Sequence, residues 1–95
     1  MNTVLYTTLI KGFAKANQIE EALDIFALMK LNAKTFPNLI TYNSLLDGLV
    51  RSGRLQDADK LFQEMLVSET TTPDLITFST LFKGHCRRAE MKKLT

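Results

Sequence analysis

Apolar residues recur at every third or fourth position through most of the chain, and this spacing appears three times. One such set lies in the middle of the sequence and consists of Tyr42, Leu45, Leu46, Leu49 and Val50. Residues at these intervals share one face of an α-helix, while the polar residues between them fall mostly on the other face. The pattern therefore predicts an amphipathic helix that turns one face towards a core.

A second amphipathic helix follows the first in each complete unit. Its apolar residues are Ile19, Ala22, Leu23, Ile25, Phe26 and Met29 in one unit, and Leu55, Ala58, Leu61, Phe62 and Met65 in the next. Asn17 and Gly53 precede these helices, and both residue types tolerate the left-handed conformation that ends a helix. Asn38 and Asp74 each follow a proline and are suited to cap the next helix. The chain is thus predicted to be a series of helix–turn–helix units.

The units are copies of one sequence at a step of 36 residues. The columns that match in all three copies are Tyr6, Tyr42 and Phe78, then Leu9, Leu45 and Leu81, then Gly12, Gly48 and Gly84. A fixed period in this range indicates a solenoid, in which each helical pair buries its apolar face against its neighbours. We place repeat one at 2–37, repeat two at 38–73 and a partial repeat three at 74–95.

The third copy departs from the other two near its end. Ala89 stands at the position of Asn17 and Gly53, and the sequence stops early in the expected second helix. This leaves open whether the two helices of repeat three join. We expect the chain to be a fragment of a longer array, with an uncapped apolar C-terminal face through which it self-associates.

Small residues recur inside the predicted helices. We expect the three matched glycines, together with Ala22 and Ala58, to let the two helices of a hairpin approach closely. A phosphate-binding glycine loop is not favoured, because these glycines are single, lie within helical periodicity and follow no strand.

The repeat resembles the pentatricopeptide repeat family. The resemblance lies in TYNSLLDGLVRSGRLQDADKLFQEM at 41–65, LYTTLIKGFAKANQIEEALDIFALM at 5–29 and TFSTLFKGHCRRAEMKKL at 77–94. The related tetratricopeptide repeat has a period of about 34 residues and an early Trp. This chain has no Trp. The resemblance implies an all-α, right-handed superhelical solenoid of antiparallel helix–turn–helix repeats that binds single-stranded RNA at about one base per repeat.

The resemblance also implies which residues contact RNA. The base-reading residues would be Thr7, Asn38, Asn43, Asp74 and Ser79. The base-sandwiching residues would be Val4, Ile40 and Ile76, and the expected phosphate contacts are Lys83, Arg87 and Arg88. On the residues alone, the base-reading set is better described as helix caps and solvent-facing polar side chains. The basic residues near the C-terminus are equally described as a solvated face.

Carrying over the family's base preferences predicts a 5′-A-U-purine footprint, read from the N- to the C-terminus. Thr7 with Asn38 would favour adenine, Asn43 with Asp74 would favour uracil, and Ser79 alone suggests a purine. The side-chain chemistry also predicts that repeats one and two prefer different bases. The Asn38 amide offers both donors and acceptors, while the Asp74 carboxylate offers only acceptors.

Composition bears on the partners and the cellular compartment of the protein. The net charge of +2 neither requires nor excludes an anionic partner, and the single cysteine, Cys86, suggests a reducing compartment. No apolar run reaches the length of a membrane span, so we expect no membrane partner. The resemblance implies a mitochondrial or plastid RNA-processing factor. The alternative is a tetratricopeptide-type scaffold that binds a peptide in the same groove.

Catalysis and metal binding are not predicted. His85 and Cys86 are adjacent, so on a helix they point about 100° apart. They also stand at the positions of Leu49 and Val50, and we therefore expect them to be packing residues. With no further ligands nearby in the sequence, we expect no metal, no cofactor and no enzymatic activity.

Overall fold

The computed structural model describes residues 2–32, 35–68 and 71–93, and within these ranges it contains five α-helices and no strand. The helices are α1 (Thr3–Lys15), α2 (Ile19–Leu31), α3 (Leu39–Arg51), α4 (Leu55–Val67) and α5 (Leu75–Lys93). The predicted all-α class is therefore confirmed. The outline is elongated, at 46 × 27 × 18 Å.

The helices stack in the order of the repeats. Helices α1 and α2 form one hairpin and α3 and α4 form the next. Helix α3 packs against α1, and α5 packs against α3, so the first helices of the three repeats make one continuous row. This is the arrangement expected of a solenoid, in which each unit contacts only its neighbours.

The turns inside the hairpins use the two residues that the sequence indicated. Asn17 has a φ angle of 63° and Gly53 a φ angle of 77°. The following amides donate back to the end of the first helix, Gln18 to the Phe13 carbonyl at 2.8 Å and Arg54 to the Leu49 carbonyl at 2.9 Å. A left-handed residue followed by such a bond is a Schellman motif, which ends each first helix.

Repeat three has no such turn. Helix α5 continues through Ala89 to Lys93, so the second helix that we expected to begin there is absent from the described residues. Alanine strongly disfavours the left-handed conformation that Asn17 and Gly53 adopt, and it has a high helix propensity. The two helices of repeat three therefore join, as far as the structure describes them. Leu94, at the position of Ala22 and Ala58, lies outside the described residues.

The core runs between the helices and contains the predicted apolar faces. Tyr42, Leu45, Leu46, Leu49 and Val50 are all buried, as are Ala22, Phe26, Met29, Ala58 and Met65. The rings of Phe26 and Tyr42 meet edge to face with centroids 5.7 Å apart, which joins repeat one to repeat two. The stack is thus held by side chains that cross from each repeat to the next.

Gly48 and Gly84 allow close approach between neighbouring repeats. Our expectation that the matched glycines let the two helices of one hairpin approach closely was therefore wrong. A Cβ on Gly48 would lie 2.8 Å from Ile19 Cδ1 and 3.0 Å from Ala14 Cβ, both in repeat one. A Cβ on Gly84 would similarly lie 2.9 Å from Leu55 Cδ1, in repeat two. A Cβ on Gly12 would meet nothing within 4 Å, because no other repeat of the described chain packs against that side of α1.

The expectation that His85 and Cys86 pack in the core was also wrong. Both side chains are exposed, and the His85 Nε2 atom lies 3.2 Å from Asp59 Oδ1. The equivalent Leu49 and Val50 are buried in a repeat whose second helix is present. Because α5 does not turn back on itself, no second helix of repeat three covers the corresponding face within the described part of the chain.

Candidate nucleic-acid interface

The three first helices carry equivalent stripes of residues that together form one surface, which we call the polar groove. Within these stripes Thr7 is buried and Asn43 is half-buried, while the other members are exposed. Positions spaced by three or four residues share one side of a helix. The stripes are Val4, Thr7, Lys11 and Lys15 on α1, Ile40, Asn43, Asp47 and Arg51 on α3, and Ile76, Ser79, Lys83 and Arg87 on α5. Most of the predicted site residues therefore lie on a single continuous surface.

Each stripe begins with an apolar residue that the fold does not cover. Val4, Ile40 and Ile76 are 69%, 58% and 62% exposed. Aliphatic side chains of this size are normally buried, and a regular row of exposed ones is a feature of binding surfaces. The row is therefore accessible to a flat apolar ligand.

The reader pair of repeat one consists of Thr7 and of Asn38, the first residue of repeat two, and the two are joined through a third residue, Thr41. The Thr7 and Thr41 hydroxyl oxygens lie 2.7 Å apart. The Thr41 hydroxyl also donates to Asn38 Oδ1 at 2.9 Å, and the Thr41 backbone amide donates to the same oxygen at 2.9 Å. Asn38 thus caps α3, as predicted, while its side chain stays exposed at the groove.

In repeat two, Asn43 and Asp74 contact each other directly. The Asn43 Nδ2 group donates to Asp74 Oδ1 at 3.3 Å. Thr77, which stands 36 residues after Thr41, donates from its hydroxyl towards both Asn43 Oδ1 and Asp74 Oδ1. The structure therefore brings together both pairs that the sequence proposed, each around a threonine that is fully buried.

The hydrogen bonds at Asp74 keep its carboxyl group ionised. Donation from the Thr77 backbone amide, at 3.0 Å, is the largest cause that lowers the pKa of Asp74 below its usual value. Desolvation is the second-largest effect and raises the pKa, while the Thr77 hydroxyl and the Asn43 amide lower it further. At neutral pH Asp74 is therefore an acceptor only, and it caps the start of α5 as predicted.

Ser79 is placed differently from the other base-reading candidates. It is exposed on α5, at the edge of a cleft between α4 and α5 that is also lined by Phe62, Phe78 and Phe82. Phe78 and Phe82 are 53% and 69% exposed. Ser79 therefore lies on the groove, and within the described residues no hydrogen bond joins it to a second reader.

Basic residues line the far end of the groove, and sequence reasoning missed part of this set. Lys15 and Arg51 line a shallow pocket between α1 and α3 together with Asn43 and Asp47. The Arg51 guanidinium donates to the Ala14 carbonyl at 3.1 Å and pairs with Asp47 at 3.1 Å. Lys15, Arg51 and Arg87 occupy one column at the 36-residue step. Comparing charged residues at the 36-residue step would have found Lys15 and Arg51 from the sequence.

The predicted phosphate contacts Lys83, Arg87 and Arg88 are all exposed on α5. Lys83 and Arg87 lie on the groove stripe. Arg88 stands at the position of Ser52, one residue further around the helix, so it lies beside the stripe instead of on it.

Two further features of the described residues bear on other classes of function. No helix among them is long and apolar enough to cross a bilayer. Nor do they contain a cluster of three or more His, Cys, Asp or Glu side chains placed to hold a metal ion.

Known proteins share both the sequence pattern and the fold. The model of the PPR repeat family matches residues 1–36 and 37–87. The crystal structure of the pentatricopeptide repeat protein PPR10 from maize is similar to this chain, with a TM-score of 0.85 and 23% identity over 97% of this chain. The structure of PPR10 in complex with an 18-nt psaJ RNA element has a TM-score of 0.80 and 28% identity over 99% of this chain. This chain spans only 13% and 15% of the PPR10 chains in those two structures. No curated protein matches the sequence.

Proposed function

The chain belongs to the PPR repeat family, and from that membership we propose that it binds single-stranded RNA in the polar groove, at about one base per repeat. The observation that carries the proposal is the joining of Thr7 to Asn38 and of Asn43 to Asp74 directly beside exposed Val4, Ile40 and Ile76. The similar structure of PPR10 holds an 18-nt RNA element, which supports a nucleic-acid ligand over a peptide. The mechanism is binding without catalysis.

Base contacts come from two kinds of side chain. One base is sandwiched between Val4 and Ile40, and the next between Ile40 and Ile76, so that each base lies flat against aliphatic groups. Stacking of a base on a protein side chain is worth roughly 1–3 kcal/mol for aromatic platforms, and aliphatic ones belong at the low end. The edge of each base then meets the reader pair of its repeat, which reads adenine at repeat one, uracil at repeat two and a purine at Ser79.

Phosphate contacts come from the basic end of the groove. We assign these contacts to Lys83 and Arg87, as the sequence suggested, and add Lys15 and Arg51 to the set. Arg88 contributes from beside the stripe. Electrostatic contacts of this kind do not depend on base identity and weaken as salt rises.

The parent protein would carry more repeats than this chain, because two or three bases scarcely offset the free-energy cost of association. We further propose, on family membership alone, that it is an RNA-processing factor of mitochondria or plastids.

An amide NMR titration of the whole chain with short RNAs tests the proposal. At low salt, an A-U-containing oligomer should shift the amides of Thr7, Asn38, Asn43 and Asp74 more than its U-A and C-C counterparts do. Equal shifts for every RNA, confined to Arg87 and Arg88, would reduce the interaction to a basic surface. The tetratricopeptide-type peptide scaffold would then become the leading explanation, and its binding should depend little on salt.

A further inference from the structure

Thr41 and Thr77 are fully buried polar residues that lie beneath the base-reading pairs of repeats one and two. Each stands three residues after a helix-capping residue, and each contacts both members of the preceding reader pair. We infer that Thr41 and Thr77 determine specificity by fixing which atoms of each reader pair donate and which accept. This inference rests on the proposed RNA-binding function and deepens it.

In repeat one, the single proton of the Thr41 hydroxyl is already committed. A hydroxyl carries one proton and two lone pairs. The Thr41 proton points to Asn38 Oδ1, at 2.9 Å, because that carbonyl oxygen can only accept. The 2.7 Å contact between the two hydroxyls must then be a donation from Thr7 to Thr41. Thr7 is therefore left with lone pairs alone to offer to a base.

The same bonds leave Asn38 with the opposite character. Its Oδ1 atom accepts from both the backbone amide and the hydroxyl of Thr41, each at 2.9 Å, so both of its lone pairs are used. Its Nδ2 group has no partner within the described residues and remains a donor. Repeat one thus presents an acceptor from Thr7 and a donor from Asn38.

In repeat two, the Thr77 hydroxyl produces the opposite arrangement, in which the residue on the first helix donates and the capping residue accepts. Its proton lies between Asn43 Oδ1 and Asp74 Oδ1, which fixes the Asn43 carbonyl inward. The Asn43 Nδ2 group then donates one proton to Asp74, at 3.3 Å, and has one proton left for a base. Repeat two thus presents a donor from Asn43 and an acceptor from the second carboxylate oxygen of Asp74.

These two patterns match different base edges. The pairing edge of adenine carries an amino donor beside a ring-nitrogen acceptor, which complements Thr7 and Asn38. The pairing edge of uracil carries an imino donor beside carbonyl acceptors, which complements Asp74 and Asn43. The two threonines therefore set opposite polarities at neighbouring sites, although Thr7 and Asn43 are both able to donate and accept when unrestrained.

Isosteric substitution of each threonine tests the inference. The Thr41→Val and Thr77→Val variants keep the shape but lose the hydroxyl, whereas Thr41→Ser and Thr77→Ser keep it. We would titrate each whole chain with A-U, U-U and A-A oligomers and follow amide shifts. Thr41→Val should lower the adenine-over-uracil preference at the first base about fivefold, the worth of one ordinary hydrogen bond. Thr77→Val should lower the uracil-over-adenine preference at the second base similarly, and the serine variants should retain both preferences.

The outcomes separate the inference from the function on which it rests. The Thr41 and Thr77 hydroxyls also accept from the backbone amides of the capping residues Asn38 and Asp74, each at 3.3 Å. If the threonines serve only these helix starts, the valine variants will unfold more easily while both base preferences stay at wild-type values. The inference then falls although RNA binding stands. If the amides of the wild-type chain show no RNA-dependent shift, both the inference and the proposed RNA-binding function are refuted.

A measurement on the RNA-free wild type covers the case in which the valine variants do not fold. The Asn43 side-chain amide, held by Asp74, should exchange its protons with solvent more slowly than the Asn38 amide, which has no partner among the described residues. Equal exchange rates would overturn the inference.

Discussion

The side-chain amide of Asn43 donates a 3.3 Å hydrogen bond to the carboxylate of Asp74, which is 31 residues away in the chain. One residue lies on α3 and the other caps α5, so the contact bridges two repeats. A reader pair is therefore complete only when the following repeat is in place. A substitution of either residue should change the base preference at one position of the RNA.

Replacing Asn43 tests the assignment of the second base. In Asn43→Ser the amide donor to Asp74 is lost and only a short hydroxyl remains, so we expect the preference at the second base to move from uracil towards a purine. The change should be severalfold, since each lost hydrogen bond is worth about 1 kcal/mol. Titration with oligomers that differ only at this base measures it. Unchanged preference would refute the assignment, and the preference at the first base is the internal control.

Replacing Gly48 tests the packing between repeats. In Gly48→Ala the new methyl would lie 3.0 Å from Ala14 Cβ, which cannot move without its backbone. We expect the free energy of unfolding to fall by about 1–3 kcal/mol, as for other overpacked cores. Gly12→Ala is the matched control, because nothing lies within 4 Å of its Cβ. The control should gain stability through helix propensity, by up to about 1 kcal/mol. Urea unfolding followed by circular dichroism compares them, and equal effects would contradict the close approach.

Stability should depend on the ionisation of Asp74. Its folded pKa is lowered, chiefly by the Thr77 backbone amide, so its contribution to stability is fully present above the unfolded pKa of about 4. That contribution is lost as the pH falls through the lower folded value. Asp74→Asn keeps a good capping residue that does not titrate. Thermal unfolding of the wild type should therefore weaken more steeply than that of the variant below about pH 4. Parallel pH profiles would be inconsistent with a lowered pKa.

Removing a groove charge should change the salt dependence of binding without changing its specificity. In Lys15→Ala, one phosphate contact is lost, so the slope of log affinity against log salt should fall by about 0.7 for a single-stranded ligand. The loss should be the same for every RNA sequence. Lys60→Ala is the control, because Lys60 is exposed on the other side of the stack, beside the gap between α2 and α4. An equal loss in both variants would show that only net charge matters.

The exposed aromatic cleft of repeat three should cause self-association. Phe78 and Phe82 are exposed, while Tyr42 and Leu46, at the equivalent positions of repeat two, are buried. Sedimentation at increasing protein concentration should show association that Phe82→Ser weakens. Leu31→Ser, which changes an exposed apolar residue on α2, is the control. A wild-type chain that stays monomeric at all concentrations would exclude this prediction.

The sequence alone determined the four helices of repeats one and two, their order and the 36-residue step, but not that α5 would continue as one helix to Lys93. These features depend on local chemistry: apolar spacing makes the helices, Asn38 and Asp74 cap them, and Asn17 and Gly53 end them by adopting left-handed backbone conformations. The candidate readers came from the resemblance to the pentatricopeptide repeat, and the 36-residue step places them at equivalent points of the stack.

Only the tertiary structure decided which groups meet. It showed that Gly48 faces the preceding repeat, that His85 is exposed because no second helix covers it within the described residues, and that Thr41 and Thr77 lie under the reader pairs. The physical reason is that periodicity specifies which side of a helix is apolar but not which neighbour will pack there. Nor can a pattern of residue types assign the single proton of a hydroxyl, since that depends on the acceptors that folding brings within about 3 Å of it.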